Sequence, residues 1–351
     1  MSYNILYIED ENAKSIKTDI ESNGINVTTL QPSGFENDLA SIYLMGYDAY
    51  LMDFRLTAGK GKVDAPTFAT TLRTDGNNQR KVPIIMISTE KNLPLFENDF
   101  TSQDLFDIVI GKDAFRKEHQ KYTNRIKNLI DAYRIVSASE FDLLNILKIE
   151  NRDVLDYRFM SLLDKFASRK DVYGYLRTIS NSLIRAIGPL IGPDVLAARF
   201  GIDRTCADFQ ILLSTPEFAS CKYQGVLSQT YDRWWFDKLQ ELWNTFASSS
   251  LRRTVAKDRV EILNKKFSLS LTYAIPMKMA ISSTFWTICH ESKRPLDPSD
   301  GFQFRNRHID EWLEPEYISL ISALENPDQQ KFLSPRDKEE VRFLGEKANE
   351  K

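Results

Sequence analysis

The sequence predicts an α/β fold: a doubly wound, five-stranded parallel sheet, followed by a mostly α-helical C-terminal domain. Three observations predict it. Short apolar runs recur near 4–8, 26–30, 48–52, 83–88 and 107–111, bounded by polar and turn residues. The segments between them are long enough for helical crossovers, and parallel strands require such crossovers. From about residue 140 the apolar residues change period: Leu155, Phe159, Leu162 and Phe166 form one helical stripe, and Val172, Tyr175, Ile179, Leu183 and Ile187 form another.

The elements follow in order. The first strand ends in Glu9-Asp10, and the helix after it spans about Asn12 to Asn23, with Gly24 placed to stop it. The middle strand ends at Asp53. The run Val82–Thr89 ends in the hydroxyls of Ser88 and Thr89, and the run Asp107–Gly111 ends at Lys112. A last helix of this domain begins near Asp113. Its apolar face carries Phe115, Tyr122, Ile126, Leu129, Ile130 and Tyr133. No Gly/Ser/Pro linker follows, which predicts a stiff helical connection into the second region. The predicted domains are 1–136, a mostly helical 137–325, and a charged tail 326–351 with a helix after Ser334-Pro335.

Composition restricts the function classes. The chain has 351 residues, enough for two or three domains, and its 42% hydrophobic and 11% aromatic content supplies real cores. A net charge of −3 argues against a globally basic nucleic-acid binder. Cys206, Cys221 and Cys289 form no CxxC pair, so they read as reduced thiols in a reducing compartment. The sequence opens directly on a strand without a signal-peptide pattern, which predicts a cytoplasmic location. The apolar stretch 273–289 is interrupted by Pro276 and Lys278 and is too short to span a bilayer.

The strand ends carry the chemistry. In a doubly wound parallel sheet they gather at one edge, and ligands bind there. Glu9, Asp10, Asp53, Ser88 and Lys112 then share one crevice. Carboxylates suit Mg²⁺, a hard cation that prefers oxygen ligands and keeps several waters. A carboxylate can also act as a nucleophile and form an acyl phosphate. Its charge and that of the phosphoryl oxygens repel, so a metal and Lys112 must offset the repulsion, while the Ser88 hydroxyl donates to a phosphoryl oxygen.

Residues 1 to about 130 resemble the receiver domain of two-component response regulators. Ile8-Glu9-Asp10-Glu11 matches the family's acidic pair, Asp53 its phosphoacceptor, Ser88 its conserved hydroxyl and Lys112 its lysine. The resemblance implies a bacterial signalling protein phosphorylated on Asp53 by a histidine kinase or phosphotransfer protein. It also implies that Asp10, Asp53 and the Arg55 backbone carbonyl bind Mg²⁺ directly, with Glu9 acting through the metal's water shell. The chain departs from the family's pattern in four places. Asp113 follows the lysine where proline is usual, and Val109 stands where an aromatic switch residue is common. The segment 54–62 is longer and more basic than usual. The segment 90–106, with Pro94, has little helical periodicity, which predicts a rebuilt fourth helix.

The second region offers several readings. Ala197, Gly201 and Ile202 fit the small-residue contact and turn of a helix-turn-helix over 194–211, with Arg199, Arg204 and Thr205 as candidate DNA contacts. An ordinary helical hairpin with a glycine turn fits as well. Arg233, Trp234 and Trp235 suit an interface hot spot, a base-stacking groove or a packed core. The string 221–235 also resembles the C-terminal part of receiver proteins from bacterial conflict and defence gene clusters. Enzyme signatures are absent: there is no HExxH, GxSxG or Walker loop, and Glu291-Ser292-Lys293 lacks the acid-tipped strand a nuclease needs. The second region therefore reads as an output domain that binds a protein partner or a second copy of the chain. DNA binding, or a phosphate sink without DNA output, are the alternatives.

Overall fold

The computed structural model describes residues 2–44, 46–56, 63–74, 81–97, 102–306 and 309–349. The chain divides into two compact units. The first comprises Met1–Glu150, Ser161–Thr178 and Gly225–Thr230; the second comprises Asn151–Met160, Ile179–Gln224 and Tyr231–Lys351. The expected division after residue 136 does not coincide with this one.

The first unit is built on β1 (Asn4–Ile8), β2 (Asn26–Leu30), β3 (Ala49–Asp53), β4 (Ile84–Ser88) and β5 (Ile108–Gly111). All pairings are parallel, in the order β2-β1-β3-β4-β5. Every residue of β3 and β4 is buried, as a central strand covered on both faces requires. Each Ile, Leu or Met so buried contributes about 1.5–3 kcal/mol. β2 lies at the edge and buries only Val27 fully.

The crossovers are α1 (Lys14–Glu21), α2 (Phe35–Leu44), α3 (Ala65–Thr74) and α4 (Leu93–Glu97). Gly24 follows α1 with φ +76°, the left-handed conformation expected of a helix stop. The fourth helix is a short piece within 93–97, in line with the weak periodicity there. The predicted single last helix is instead two, α5 (Lys112–Lys117) and α6 (His119–Ala138), because Glu118 leaves helical geometry (φ −130°, ψ 39°). Nor does α6 continue stiffly beyond Ala138. Glu140 and Phe141 both adopt left-handed backbone (φ 49° and 65°), and the chain turns into α7 (Leu143–Leu147), whose Leu143, Ile146 and Leu147 are buried. The first unit thus extends past the family-like segment.

The second unit packs helices Pro193–Phe200, Phe236–Asn244 and Ala256–Phe267 around Phe200, Phe218 and Trp243. Phe200 meets the other two rings edge-on at 5.4 and 6.0 Å. Short antiparallel pairs stitch its loops: Leu190–Ile191 with Trp234–Trp235, and Gly301–Phe304 with Glu316–Ser319. The alternating run 267–273 leaves strand and helix open on sequence alone; apart from Phe267, which ends helix Ala256–Phe267, and a single bridge from Tyr273 to Ile202, it is neither. Leu271 gets both its backbone hydrogen bonds from the Asn264 side chain (2.7 and 3.0 Å), which stands in for a partner strand. The charged tail forms the expected helix, Pro335–Asn349, and it is docked: Val341 is fully buried beside Ile318 and Leu333.

Candidate functional site

Strand register assembles the site. Ile8 pairs with Met52, so Glu9 comes level with Asp53 at the end of β3. Ser88 pairs with Gly111, so Lys112 emerges one residue beyond β4's end. Glu9, Asp10 and Asp53 are all buried, and each can place a carboxylate oxygen within 4.8 Å of the others. Lys112 Nζ donates to Glu9 Oε2 and to Asp53 Oδ2, both at 2.8 Å. The other Asp53 oxygen, Oδ1, accepts the Phe54 N–H at 2.8 Å. Asp10 accepts from the Gln31 amide at its backbone carbonyl (3.3 Å). Ser88 is fully buried, and its Oγ has no hydrogen-bond partner among the described residues.

The electrostatics follow from crowding. Burial raises the Asp53 carboxyl to about 6, and the neighbouring Glu9 charge adds to the rise, while the Lys112 ammonium and the Phe54 amide oppose it. Burial acts to lower the Lys112 ammonium, but hydrogen bonds and attraction to Asp53 and Glu9 win and raise it. Among the described residues, three buried carboxylates gather around one ammonium. That set suits a hard divalent cation, and the unpartnered Ser88 hydroxyl suits an added oxyanion. The residues therefore fit Mg²⁺ with a phosphoryl group.

Two further side chains shape the site. Tyr7 donates to Glu9 Oε2 at 2.5 Å, so that oxygen is shared between Tyr7 and Lys112. Tyr7 lies two residues before Glu9 on the same face of β1, a signal present in the strand alternation. Glu90 caps α5: its Oε1 accepts the N–H groups of Asp113 (2.8 Å) and Ala114 (3.3 Å). A proline at 113 could not donate the first bond, which gives the Asp113 departure a physical reason. Nothing in the local sequence marks Glu90 for this role. Val109 is partly exposed on β5. Arg55 is exposed and pairs with Asp64 at 2.9 Å. Residues 57–62 of the basic segment lie outside the described residues.

The expected DNA contacts do not form a site. Arg199 is fully buried. Its guanidinium grips Glu314 (2.6 and 2.7 Å) and the Trp286 carbonyl (3.0 Å), so it cannot reach a phosphate. Arg204 is tied to Asp194 at 2.8 Å, and Thr205 is bonded to Asp203 within the same turn. Gly201 (φ +72°) closes the first helix, and a Cβ there would stand 2.5 Å from Ala256 Cα. The next helix begins at Asp208, not at Arg204, so a helix-turn-helix is corrected to two helices joined by an irregular segment. The expected hot spot is likewise core: Trp234 and Trp235 are buried in their strand pair, and Arg233 donates to the carbonyls of Ile184 and Asp232. Cys289 and His290 diverge, the thiol toward Ser319 and Ser322 and the imidazole toward Glu316. His308 lies outside the described residues.

The sheet order is that of the flavodoxin-like doubly wound fold, whose ligands lie beyond the strand carboxyl ends. Comparison with known proteins bears on the same N-terminal part. No protein-family model matches the chain, and no curated protein matches it. Solved response-regulator receiver domains are similar to about the first 37% of it. One is the receiver domain of a sensor histidine kinase from Pseudomonas aeruginosa with a magnesium ion coordinated in its active-site cleft. It is 26% identical, with a TM-score of 0.30, and the match covers 37% of this chain and 99% of that one. Another is a response regulator receiver domain from Methylobacillus flagellatus (21% identity, TM-score 0.29, 36% and 99% covered). A third is a receiver domain protein from Clostridium thermocellum (17%, TM-score 0.30, 38% and 98% covered). Among the described residues, no helix is long and apolar enough to cross a membrane.

Proposed function

We propose that the chain is a response regulator that accepts a phosphoryl group on Asp53 from the phosphohistidine of a histidine kinase or phosphotransfer protein. One observation carries the reading: Lys112 joins Glu9 and Asp53 at the strand ends beside a buried Ser88 hydroxyl that lacks a partner among the described residues. An Asp53 carboxylate oxygen attacks phosphorus. The P–N bond breaks, and the imidazole leaves with its electron pair and takes up a proton. Lys112 stays within reach of the transferred group's charge, and the Ser88 hydroxyl donates to one of its oxygens. Asp10 and Asp53 would hold Mg²⁺, with the Arg55 carbonyl. Glu9 would act on the metal's waters, since one of its oxygens is already shared by Lys112 and Tyr7. When bound, the ion offsets the repulsion between carboxylate and phosphoryl oxygens.

The second unit then serves as a protein-interaction output that binds a partner or a second copy, and the chain has no catalysis of its own beyond loss of its own phosphoryl group. Burial of Arg199 and the pairing of Arg204 favour this output over DNA. The residues resembling defence-cluster proteins include buried Cys221, Tyr223, Trp234 and Trp235, so the reading stops at two-component signalling. The test is uptake of label from a small-molecule phosphodonor with Mg²⁺. Wild type should take up label and Asp53→Asn should not. Uptake by Asp53→Asn at the wild-type rate overturns the assignment.

A further inference from the structure

A cavity of about 420 Å³ in the second unit has no part in the function proposed above. Its lining includes Arg185, Arg233, Lys293, His290, Glu316 and the start of helix Pro193–Phe200. The charges do not balance. Of the carboxylates there, Asp194 is held by Arg204 at 2.8 Å and Glu316 by His290 at 2.8 Å. Among the described residues, the cations have no carboxylate partner. Arg233 donates to two backbone carbonyls. Arg185 reaches the Asn181 amide oxygen at 3.5 Å, and Lys293 Nζ has no hydrogen bond or ion pair among the described residues. Three cations thus line one cavity with two carboxylates, and the surplus of positive charge favours an anion there.

Two independent features point the same way. The first hydrogen bond of helix Pro193–Phe200 runs from Leu196 N to Gly192 O at 2.9 Å, so the amides of Asp194 and Val195 have no intrahelical acceptor, and the helix dipole is positive at that end. Gly192 also makes room: a Cβ there would meet Arg233 Nη1 at 2.9 Å, so the absence of a side chain lets the guanidinium lie against the helix start. A π-helical turn, Ser180–Ile184, leads into Arg185, and its Asn181 and Ser182 line a neighbouring cavity. Such turns are rare and concentrate at functional sites. An adjoining cavity of about 240 Å³ shares Arg185, Ala186, Ile187 and Glu316 with the first.

We propose that this cavity binds a small phosphate ester, with its phosphate among Arg185, Arg233 and Lys293 at the helix start. Three cations match a dianion better than a carboxylate. The His290–Glu316 pair offers hydrogen bonds to hydroxyl groups of the ester's remainder. The volume is that of a small-molecule pocket, not a macromolecular groove. The inference does not depend on the role assigned to Asp53.

The experiment uses the full chain carrying Asp53→Asn, in EDTA, so that the strand-end site cannot hold magnesium and phosphate together. Inorganic phosphate, ribose 5-phosphate and AMP are titrated by calorimetry and by thermal shift. At least one should bind saturably at a single site, and Arg185→Gln and Lys293→Gln should each weaken it about tenfold, or about 1.4 kcal/mol. Both residues are exposed, so the variants should keep the wild-type melting point without ligand. Absence of saturable binding for all three probes overturns the proposal, and so does saturable binding that both variants retain.

Discussion

Lys112 Nζ stands 2.8 Å from Asp53 Oδ2, although β4 separates β3, which ends at Asp53, from β5, which ends just before Lys112. The lysine follows β5, so its side chain reaches across the end of β4, where Ser88 sits. A long aliphatic stem is needed for that reach, and only its tip carries charge. The ammonium therefore ties the end of β5 to the ends of β1 and β3, neither of which pairs with β5.

Removing this tie should expose how much the crowded acids cost. In Lys112→Ala, Glu9 and Asp53 remain buried without their cation, and breaking such a pair costs about 3–5 kcal/mol in metal-free buffer. The variant should also gain more from Mg²⁺ than wild type does, because Asp53 Oδ2 is released for the ion and Glu9 loses a competing cation. Urea unfolding with EDTA and with Mg²⁺ measures both. Equal magnesium stabilisation of the two proteins would show that the lysine and the metal do not compete for these carboxylates.

The raised Asp53 carboxyl predicts a stability slope with pH. The folded protein holds this proton up to about 6, against an ordinary 3.8, so folding favours the protonated form. The resulting stabilisation is complete below the ordinary value and is lost as pH rises through about 6. Asp53→Asn cannot ionise and escapes the loss. In EDTA at pH 8 the variant should therefore be more stable than wild type by up to about 3 kcal/mol, and the gap should close toward pH 4. Parallel stability curves for the two proteins across that window would refute the crowding account.

The sheet and the acids at its edge were legible because their signals are local. An apolar run of five residues ending in an acid says both where a strand stops and what stands at its tip. The second unit's guanidinium groups were not legible. Arg199 reads as an exposed cation in its own helix, yet its burial depends on Glu314, 115 residues further along. Leu271 looks like part of a strand because the partner that satisfies it is a side chain, Asn264, rather than another strand. The break at Glu118 likewise lies inside an unbroken apolar stripe and leaves no mark in the pattern.

Glu90 should prove to be a cap supplied from outside its helix. Gly111, at the helix start, has no side chain to cap with, and Glu90 takes the two amides that such a side chain would take. Burial would raise its carboxyl, but the bonds from its own amide and from Asp113 and Ala114 outweigh this and lower it. Glu90→Ala should cost about 1 kcal/mol, the usual worth of a cap, and Glu90→Gln should recover much of it by keeping an acceptor. Because the capped turn begins at Lys112, Glu90→Ala should also slow phosphoryl uptake. Wild-type uptake in a destabilised Glu90→Ala would separate the cap from the site.

A loss comparable to that of Lys112→Ala is predicted at Asp107. Its Oδ2 accepts Arg73 Nη2 at 2.6 Å and Ile84 N at 2.8 Å, and its Oδ1 accepts the Tyr133 hydroxyl at 2.6 Å. Arg73 is buried with it and also donates to the carbonyls of Leu105 and Val82, both at 3.2 Å. The Tyr173 ring covers the guanidinium at 3.7 Å. Asp107→Ala would leave a buried cation, a hydroxyl and an amide without their acceptor, at a cost of about 3–5 kcal/mol. Asp107→Asn keeps the shape and one acceptor but drops the charge, so it should fall between wild type and alanine. Arg73→Met combined with Asp107→Ala should cost less than the two single changes added, since the second change removes a partner already lost. Urea midpoints for the four proteins decide it, and strictly additive losses would mean that the two residues do not act as one buried network.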